Sequence, residues 1–479
     1  MPAWRGPAVQ RELDAYREAL RVGGSLAGHF DPGELTAVRV PARLDVMGGI
    51  ADYSGANVCQ FPLAHGAVLG IQPRADRWIR VLSAGIERHG LVNRFSLHVG
   101  DFRRGKQLRS YDEMRQLLAA DAKRSWAAYV VGAIFVLLKE KRLPRLSRGF
   151  NIGLLSHVPM NVGIGSSATV EVATLYAVDR VLGLDLDPLE LARLGQVAEH
   201  RVVGAPCGIM DQIATACGHA GRLLHILCQP GQVVGDLAVP DFCELAGINS
   251  HVRHSVGGEK YTTTRVATFM GRRILFERIR KTARLGDGQA PFGGYLCNIA
   301  PEDFRVVYRH WLPRRLTGAA FLKRYGTTED PVAPVDPKAA YQVASRTSHP
   351  IHENQRVLEF IRCLENARLS GDRRFLVRAG QLMYASHWSY ARKCAQSCRE
   401  VDFLVKAARR MGPEEGVYGA KITGGGSGGT VALLGEKGKL RAAVRKLTAA
   451  YRQVWGIRAD VFLGSSPGAC EFGSLRLGV

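Results

Sequence analysis

Two glycine-rich segments, one arginine and a few carboxylates set in turns are the residues of this 479-residue chain best suited to chemistry. The segment Gly163-Ile164-Gly165-Ser166-Ser167-Ala168 leads into apolar residues at helical spacing, Val170, Ala173, Ala177 and Val181. Glycines let a backbone approach an anion closely, and a helix start presents unpaired N–H groups and the positive end of its dipole, so phosphate is the expected guest. Ser166 or Ser167 is the expected N-cap of that helix. A second glycine-rich loop at residues 418–434 contains Gly425 and Gly426 and flows into a β-branched apolar strand. Consecutive glycines are costly in chain entropy, so this loop either packs backbone against backbone or closes over a ligand. Arg43 and Asp52 flank the pair Gly48-Gly49, and a turn at residues 204–212 aims Asp211 at the start of another apolar segment. A phosphate cradle, an arginine, and carboxylates able to ligate a metal ion or orient a hydroxyl are the parts a phosphoryl transferase needs.

The elements that must position these residues are legible in outline. Residues 1–34 read as a polar helical leader in which Leu13, Tyr16, Leu20 and Val22 cover part of the body. Extended runs at residues 35–47, 66–71, 78–83 and 151–155 suggest a sheet, with residues 126–138 as a buried helix too short to span a bilayer. Asp187 as N-cap, Pro188 at the first helical position and Glu190 in the capping-box position announce a helix running to about Val203. Strand-like residues 222–228 and 245–250 mark the passage into a second half, where residues 327–338 read as an exposed loop. These features predict an α+β chain with a leader at 1–34 and domains at 35–240 and 241–479.

Composition narrows the partners. Lys and Arg outnumber Asp and Glu by 65 to 43, but the basic residues are spread along the chain, as in the arginine-rich stretch 271–284, so a solvated surface explains them better than nucleic-acid binding does. Ten cysteines at irregular spacing contain no C-x-x-C pair, and no secretory signal or membrane segment is visible, which reads as a reduced cytoplasmic protein. Oligomeric state leaves no mark in the sequence, and a monomer suffices for this reading. The signature G-x-x-x-x-G-K-[ST] is absent, as is the H-R-D and D-F-G pair of protein kinases. Residues 163–168 do satisfy the G-x-G-x-x-A form of the dinucleotide fingerprint. That motif wants a tight strand-to-helix turn, whereas seven residues including Pro159 intervene here between Leu155 and Gly163.

The blocks at residues 41–55, 159–168 and 421–429 resemble, in order and separation, the three motifs of the GHMP small-molecule kinases. The segment 199–212, reading Glu-His-Arg-Val-Val-Gly-Ala-Pro-Cys-Gly-Ile-Met-Asp-Gln, is similar to the galactokinase branch, as are stretches beginning at Trp126, Asn249, Glu353 and Leu382. The resemblance implies an N-terminal domain like the second domain of ribosomal protein S5, a ferredoxin-like C-terminal domain, and a site between them. It places ATP on the turn of Gly163, Gly165, Ser166, Ser167 and Ala168, with Trp126 walling the adenine and Gly425 and Gly426 completing the cofactor site. It makes Ser167 and Glu199 the magnesium ligands, Asp211 the catalytic aspartate with Arg43 as its partner, and Asp52, Gly208 and Tyr261 the sugar contacts. Without the resemblance, Asp211 reads first as a helix cap and Tyr261 first as a packing residue, while Trp126 reads equally as core.

One departure from the pattern bears on the substrate. Where galactokinases carry Gly-Glu-His-Thr-Asp-Tyr, this chain reads Gly48-Gly49-Ile50-Ala51-Asp52-Tyr53. The pattern's Glu and His contact the sugar's exocyclic hydroxymethyl. Gly49 and Ile50 cannot replace those hydrogen bonds, and a hydroxyl buried against Ile50 would lose about 1–3 kcal/mol. A sugar lacking that group fits better. L-Arabinopyranose is such a sugar, and residues 43–55 and 253–258 resemble the L-arabinokinase subgroup. The expectation is phosphorylation of the anomeric hydroxyl of L-arabinose, with galactokinase and galacturonokinase as rivals and a non-catalytic sugar sensor as the reading from another class.

Overall fold

The computed structural model describes residues 6–252, 258–286 and 288–479. Residues 253–257, which include most of the second stretch likened to the L-arabinokinase subgroup, lie outside the described residues. The leader forms helix α1 (Pro7–Leu20), with proline at the start where no N–H is needed. Leu13 and Tyr16 face the body, and the buried Tyr16 hydroxyl donates to the Gly153 carbonyl at 2.9 Å. Val22 was expected to share this cover, but it lies beyond the helix end and is fully exposed.

The first sheet starts with β1 (Glu34–Met47), β2 (Asn57–Pro73), β3 (Trp78–Ala84) and β4 (Arg94–His98). A small ribbon of β5 (Arg103–Arg104) and β6 (Gln107–Leu108) leads to helices α2 (Tyr111–Ala119) and α3 (Ala128–Lys139). Helix α3 is apolar on every face because it is buried among its neighbours rather than laid on a surface. Strand β7 (Phe150–Ser156) runs parallel to β3 and antiparallel to β2. Helices α4 (Ser166–Leu182), α5 (Pro188–Val197) and α6 (Met210–Cys217) follow, then strands β8 (Arg222–Leu227) and β9 (Gln232–Ala238), with β8 pairing onto β2. Val40, Leu69, Ile71, Ile134, Phe135 and Val172 belong to the core between sheet and helices.

The second unit opens with β10 (Cys243–Asn249) and α7 (Glu259–Thr282). A helical excursion follows: α8 (Pro301–Val306), α9 (Gly318–Tyr325) within the small pair β11 (Leu316–Thr317) and β12 (Ala340–Tyr341), then α10 (Val343–Ser370), α11 (Arg374–Ser389) and α12 (Arg399–Met411). Strands β13 (Val417–Ile422) and β14 (Thr430–Glu436), helix α13 (Leu440–Trp455) and β15 (Asp460–Leu463) complete a four-stranded antiparallel sheet in the order β13-β14-β10-β15. This is the ferredoxin-like order. After α14 (Ala469–Phe472), the final strand β16 (Ser474–Gly478) returns to pair with β1, so the chain's last strand is an edge of the first sheet.

Three local expectations change. The N-cap of α4 is Gly165, in the left-handed region, rather than a serine. Asp187 does cap α5 through the Leu189 and Glu190 amides, but the Glu190 carboxylate pairs with Arg142 instead of closing a capping box. The loop at residues 327–338 is not simply exposed: Thr328 and Ala333 are buried, and the Asp330 carboxylate is wholly enclosed by pairing with Arg265.

Candidate active site

Strand β1 carries Arg43 into the space between the two sheets, and the chain then turns through residues 48–54. Arg43 is 2% exposed and uses all of its guanidinium nitrogens. Its Nε and Nη2 donate to Asp211 Oδ1 and Oδ2 at 2.8 and 2.6 Å, and Nη1 donates to the Gly163 carbonyl at 2.7 Å. Its backbone N–H donates to the Ile164 carbonyl at 3.0 Å. One residue therefore holds both the glycine turn and the aspartate. A bidentate arginine–carboxylate pair fixes direction as well as charge. Asp211 sits in the first turn of α6 without capping it, which removes the helix-cap reading. Its side chain remains 20% exposed, toward the cleft it lines.

Because Gly165 has no side chain to offer as a cap, the first-turn amides of α4 are left for another acceptor. The second glycine-rich loop backs this turn. A Cβ on Gly424 would lie 2.6 Å from the Gly163 carbonyl, and one on Gly429 would lie 2.5 Å from that of Val162. The two segments pack backbone against backbone, and Gly424 and Gly425 also line the cleft.

Helix α5 passes into a π-helical turn at Ala198–Val203, and this wider turn carries Glu199. Glu199 is buried at the cleft wall, and its Oε2 accepts from Gln212 Nε2 at 2.7 Å. The same amide donates to Glu171 Oε2 at 3.1 Å. Burial, reinforced by the charge on Asp211, raises the Glu199 carboxyl to about 7. Burial and then Glu199 push Glu171 well above the usual carboxylate range. Among the described residues, no group of three or more His, Cys, Asp or Glu side chains is arranged to hold a metal ion. Glu199 and the Ser167 hydroxyl are neighbouring hard oxygen donors, within hydrogen-bond reach of each other in the cleft, and suit a magnesium ion that also takes substrate oxygens.

At the other end of the cleft, Asp52 is raised to about 7, mainly by burial and secondarily by Asp211. Gly208 lies against it so closely that a Cβ there would fall 1.5 Å from Asp52 Oδ2. Tyr261 and Ile50 complete this end, both almost fully buried. Trp126, Ile86, Leu154 and Met160 form an apolar wall on the first domain's side, where the Trp126 indole N–H donates to the Val92 carbonyl at 2.8 Å.

The structure thus gathers Arg43, Ile50, Asp52, Trp126, Gly163, Gly165, Ser166, Ser167, Glu199, Gly208, Asp211, Tyr261 and Gly425 around one cleft. Gly49, Ala168 and Gly426 are not among its lining residues. Ala168 is buried beneath the turn, and Gly426 packs against the Gln396 carbonyl. A Cβ on Gly49 would point at Tyr390 and Asp45. Sequence reasoning missed Glu171, Gln212 and the Arg265–Asp330 pair. Arg265 donates to the carbonyls of Pro206 and Cys207 at 3.1 and 3.0 Å, next to Gly208, and lies over the Tyr53 ring. Gln212 adjoins Asp211 and had a sequence signal; the others depend on residues distant in the chain.

Residues 128–219 match the GHMP kinases N terminal domain, and residues 364–453 match the GHMP kinases C terminal domain. An L-arabinokinase of Arabidopsis thaliana is 36% identical over 97% of this chain, although the chain spans only 49% of that protein's length. A galactokinase of Actinobacillus succinogenes is 28% identical over 89% of this chain and 92% of its own. The crystal structure of Lactococcus lactis galactokinase complexed with galactose superposes with a TM-score of 0.71, covering 97% of this chain and all of that one at 22% identity. Among the described residues no helix is long and apolar enough to cross a membrane. Two GHMP kinase domain models thus match in order within this chain, and its two-sheet fold is shared across nearly the whole chain with a solved galactokinase.

Proposed function

We propose that this chain transfers the terminal phosphoryl group of ATP to the anomeric hydroxyl of L-arabinose. The observation that carries the reading is the Arg43–Asp211 pair, which points a fixed carboxylate into a cleft with the glycine turn on one side and Asp52, Gly208 and Tyr261 on the other. The free α4 amides favour bound phosphates. Arg43 holds Asp211 in place by its bidentate pair, so the carboxylate orients the sugar hydroxyl and draws on its proton as the new P–O bond forms and the bond to ADP breaks. Glu199 and Ser167 would hold a magnesium ion, which supplies neutralising charge at the phosphates when bound. Asp52 presents oxygens to ring hydroxyls. Ile50 offers no hydrogen bond at its side of the cleft, which favours a pentopyranose without an exocyclic hydroxymethyl over galactose or galacturonate. The 36% identity to an L-arabinokinase supports the same choice.

An assay of ADP release with L-arabinose, D-galactose and D-galacturonate tests the reading. L-Arabinose is expected to give the highest kcat/KM, and absence of turnover with all three would overturn the kinase assignment. Asp211→Asn should lower kcat by at least about 10²-fold while nucleotide binding persists. Full activity in that variant would remove Asp211 from the mechanism.

A further inference from the structure

Position 49 has no room for a side chain. A Cβ built on Gly49 would lie 1.7 Å from the Tyr390 hydroxyl and 2.2 Å from Asp45 Oδ2. Both obstacles are anchored. Tyr390 is wholly buried in a π-helical turn after α11, and its hydroxyl lies 3.3 Å from Asp45 Oδ2 and 3.2 Å from the Gly424 carbonyl, either of which can accept its proton. Asp45 is also wholly buried, and its carboxylate accepts from Lys421 Nζ at 2.9 Å and from Gln60 Nε2 at 3.0 Å. Lys421 in turn lies 5.1 Å from the centre of the Tyr390 ring. Nor is the glycine's backbone free to retreat, since its carbonyl pairs with His349 Nε2 at 3.2 Å and the Gly48 N–H donates to Glu353 at 3.4 Å.

The next residue shows what this does at the cleft. Ile50 has φ +47°, a left-handed conformation that a β-branched residue adopts only under constraint. It shares an apolar cluster with Tyr261 and Tyr390, and its side chain lines the cleft. Tyr390 itself does not line it.

We propose that Tyr390, braced by Asp45 and Lys421, is the positioning residue that sets the sugar preference. It fills the volume a polar side chain at position 49 would need and holds Ile50 as the wall of the sugar site. The missing polar residue is therefore a filled position rather than a vacancy, and restoring it requires removing its replacement. This inference rests on the sugar-site reading of Ile50, Asp52 and Tyr261.

The test is a cycle of wild type, Gly49→Glu, Tyr390→Ala and the double variant, with Gly49→Ala made in both Tyr390 backgrounds. Melting temperature, kcat/KM for D-galactose and L-arabinose, and KM for ATP are measured. Gly49→Glu and Gly49→Ala should each lower Tm by about 5 °C or more in the Tyr390 background and by less than about half as much beside Tyr390→Ala. The galactose-to-arabinose ratio should rise about tenfold in the double variant over either single one, with KM for ATP within about threefold of wild type. Additive melting shifts would overturn the claim that Tyr390 excludes a side chain at 49. Improved galactose use by Gly49→Glu alone, without loss of Tm, would overturn it as well. If wild type turns over neither sugar, the selectivity claim falls with the functional reading, and the Gly49→Ala shifts still decide whether Tyr390 occupies the space.

Discussion

Asp330 lies in a segment whose composition reads as loop, yet its carboxylate is one half of a buried ion pair with Arg265 at 2.7 and 2.9 Å. Replacing it with alanine leaves a guanidinium that is 5% exposed with only the Pro206 and Cys207 carbonyls and the faces of Tyr53 and Phe269 for company. Those dipoles solvate the cation in part but do not neutralise it. Breaking one side of a buried pair costs about 3–5 kcal/mol, and we expect Asp330→Ala to lose an amount in that range. Arg265→Leu with Asp330→Leu should lose less than Asp330→Ala, because no charge is stranded. The consequence reaches the cleft, since Arg265 holds the carbonyls that precede Gly208, which in turn lies against Asp52. Urea unfolding of wild type, Asp330→Ala and the double-leucine variant, followed by fluorescence, gives the two losses, and steady-state kinetics give the companion effect. KM for the sugar should rise at least about fivefold and KM for ATP less than about twofold, because displacement of the loop weakens one end of the cleft only. A loss under about 1 kcal/mol for Asp330→Ala, or equal changes in both KM values, would refute the reasoning.

Gly208→Ala should abolish sugar turnover without unfolding the protein, since the added Cβ would fall 1.5 Å from Asp52 Oδ2 and must displace that carboxylate; wild-type KM in this variant would show that Asp52 does not hold the sugar. Asp52 also predicts a pH dependence. Burial raises its carboxyl from 3.8 to about 7, so the folded state binds more protons than the unfolded state between those values. Stability of the ligand-free protein should therefore fall as pH rises from about 4 toward about 7, and Asp52→Asn should flatten that slope in unfolding measurements; an unchanged slope would exclude Asp52 as its source.

Much of the site was legible in the residues. The glycine turn before an apolar helical period, the arginine before the first glycine pair and the aspartate opening α6 signal local chemistry, because backbone permissiveness and helix ends are properties of short segments. The leader helix was legible for the same reason through Tyr16, and misjudged at Val22 because periodicity does not mark where a helix stops. The N-cap was misjudged as well. Serine is the better cap by propensity, but a glycine cap leaves the α4 amides free, and only the assembled turn shows that.

Other features follow from contacts between residues far apart. Glu171 joins Glu199 and Gln212 only when α4, the π turn and α6 converge, and Asp330 meets Arg265 across 65 positions. By itself the sequence determined the α+β fold class, the glycine turn before α4, the Arg43 and Asp211 candidates, and the absence of polar side chains at Gly49 and Ile50. The tertiary structure decided what stands in their place, because room for a side chain depends on what packs there: Tyr390, 341 residues later in the chain, occupies the space beside Gly49 and leaves Ile50 to face the cleft.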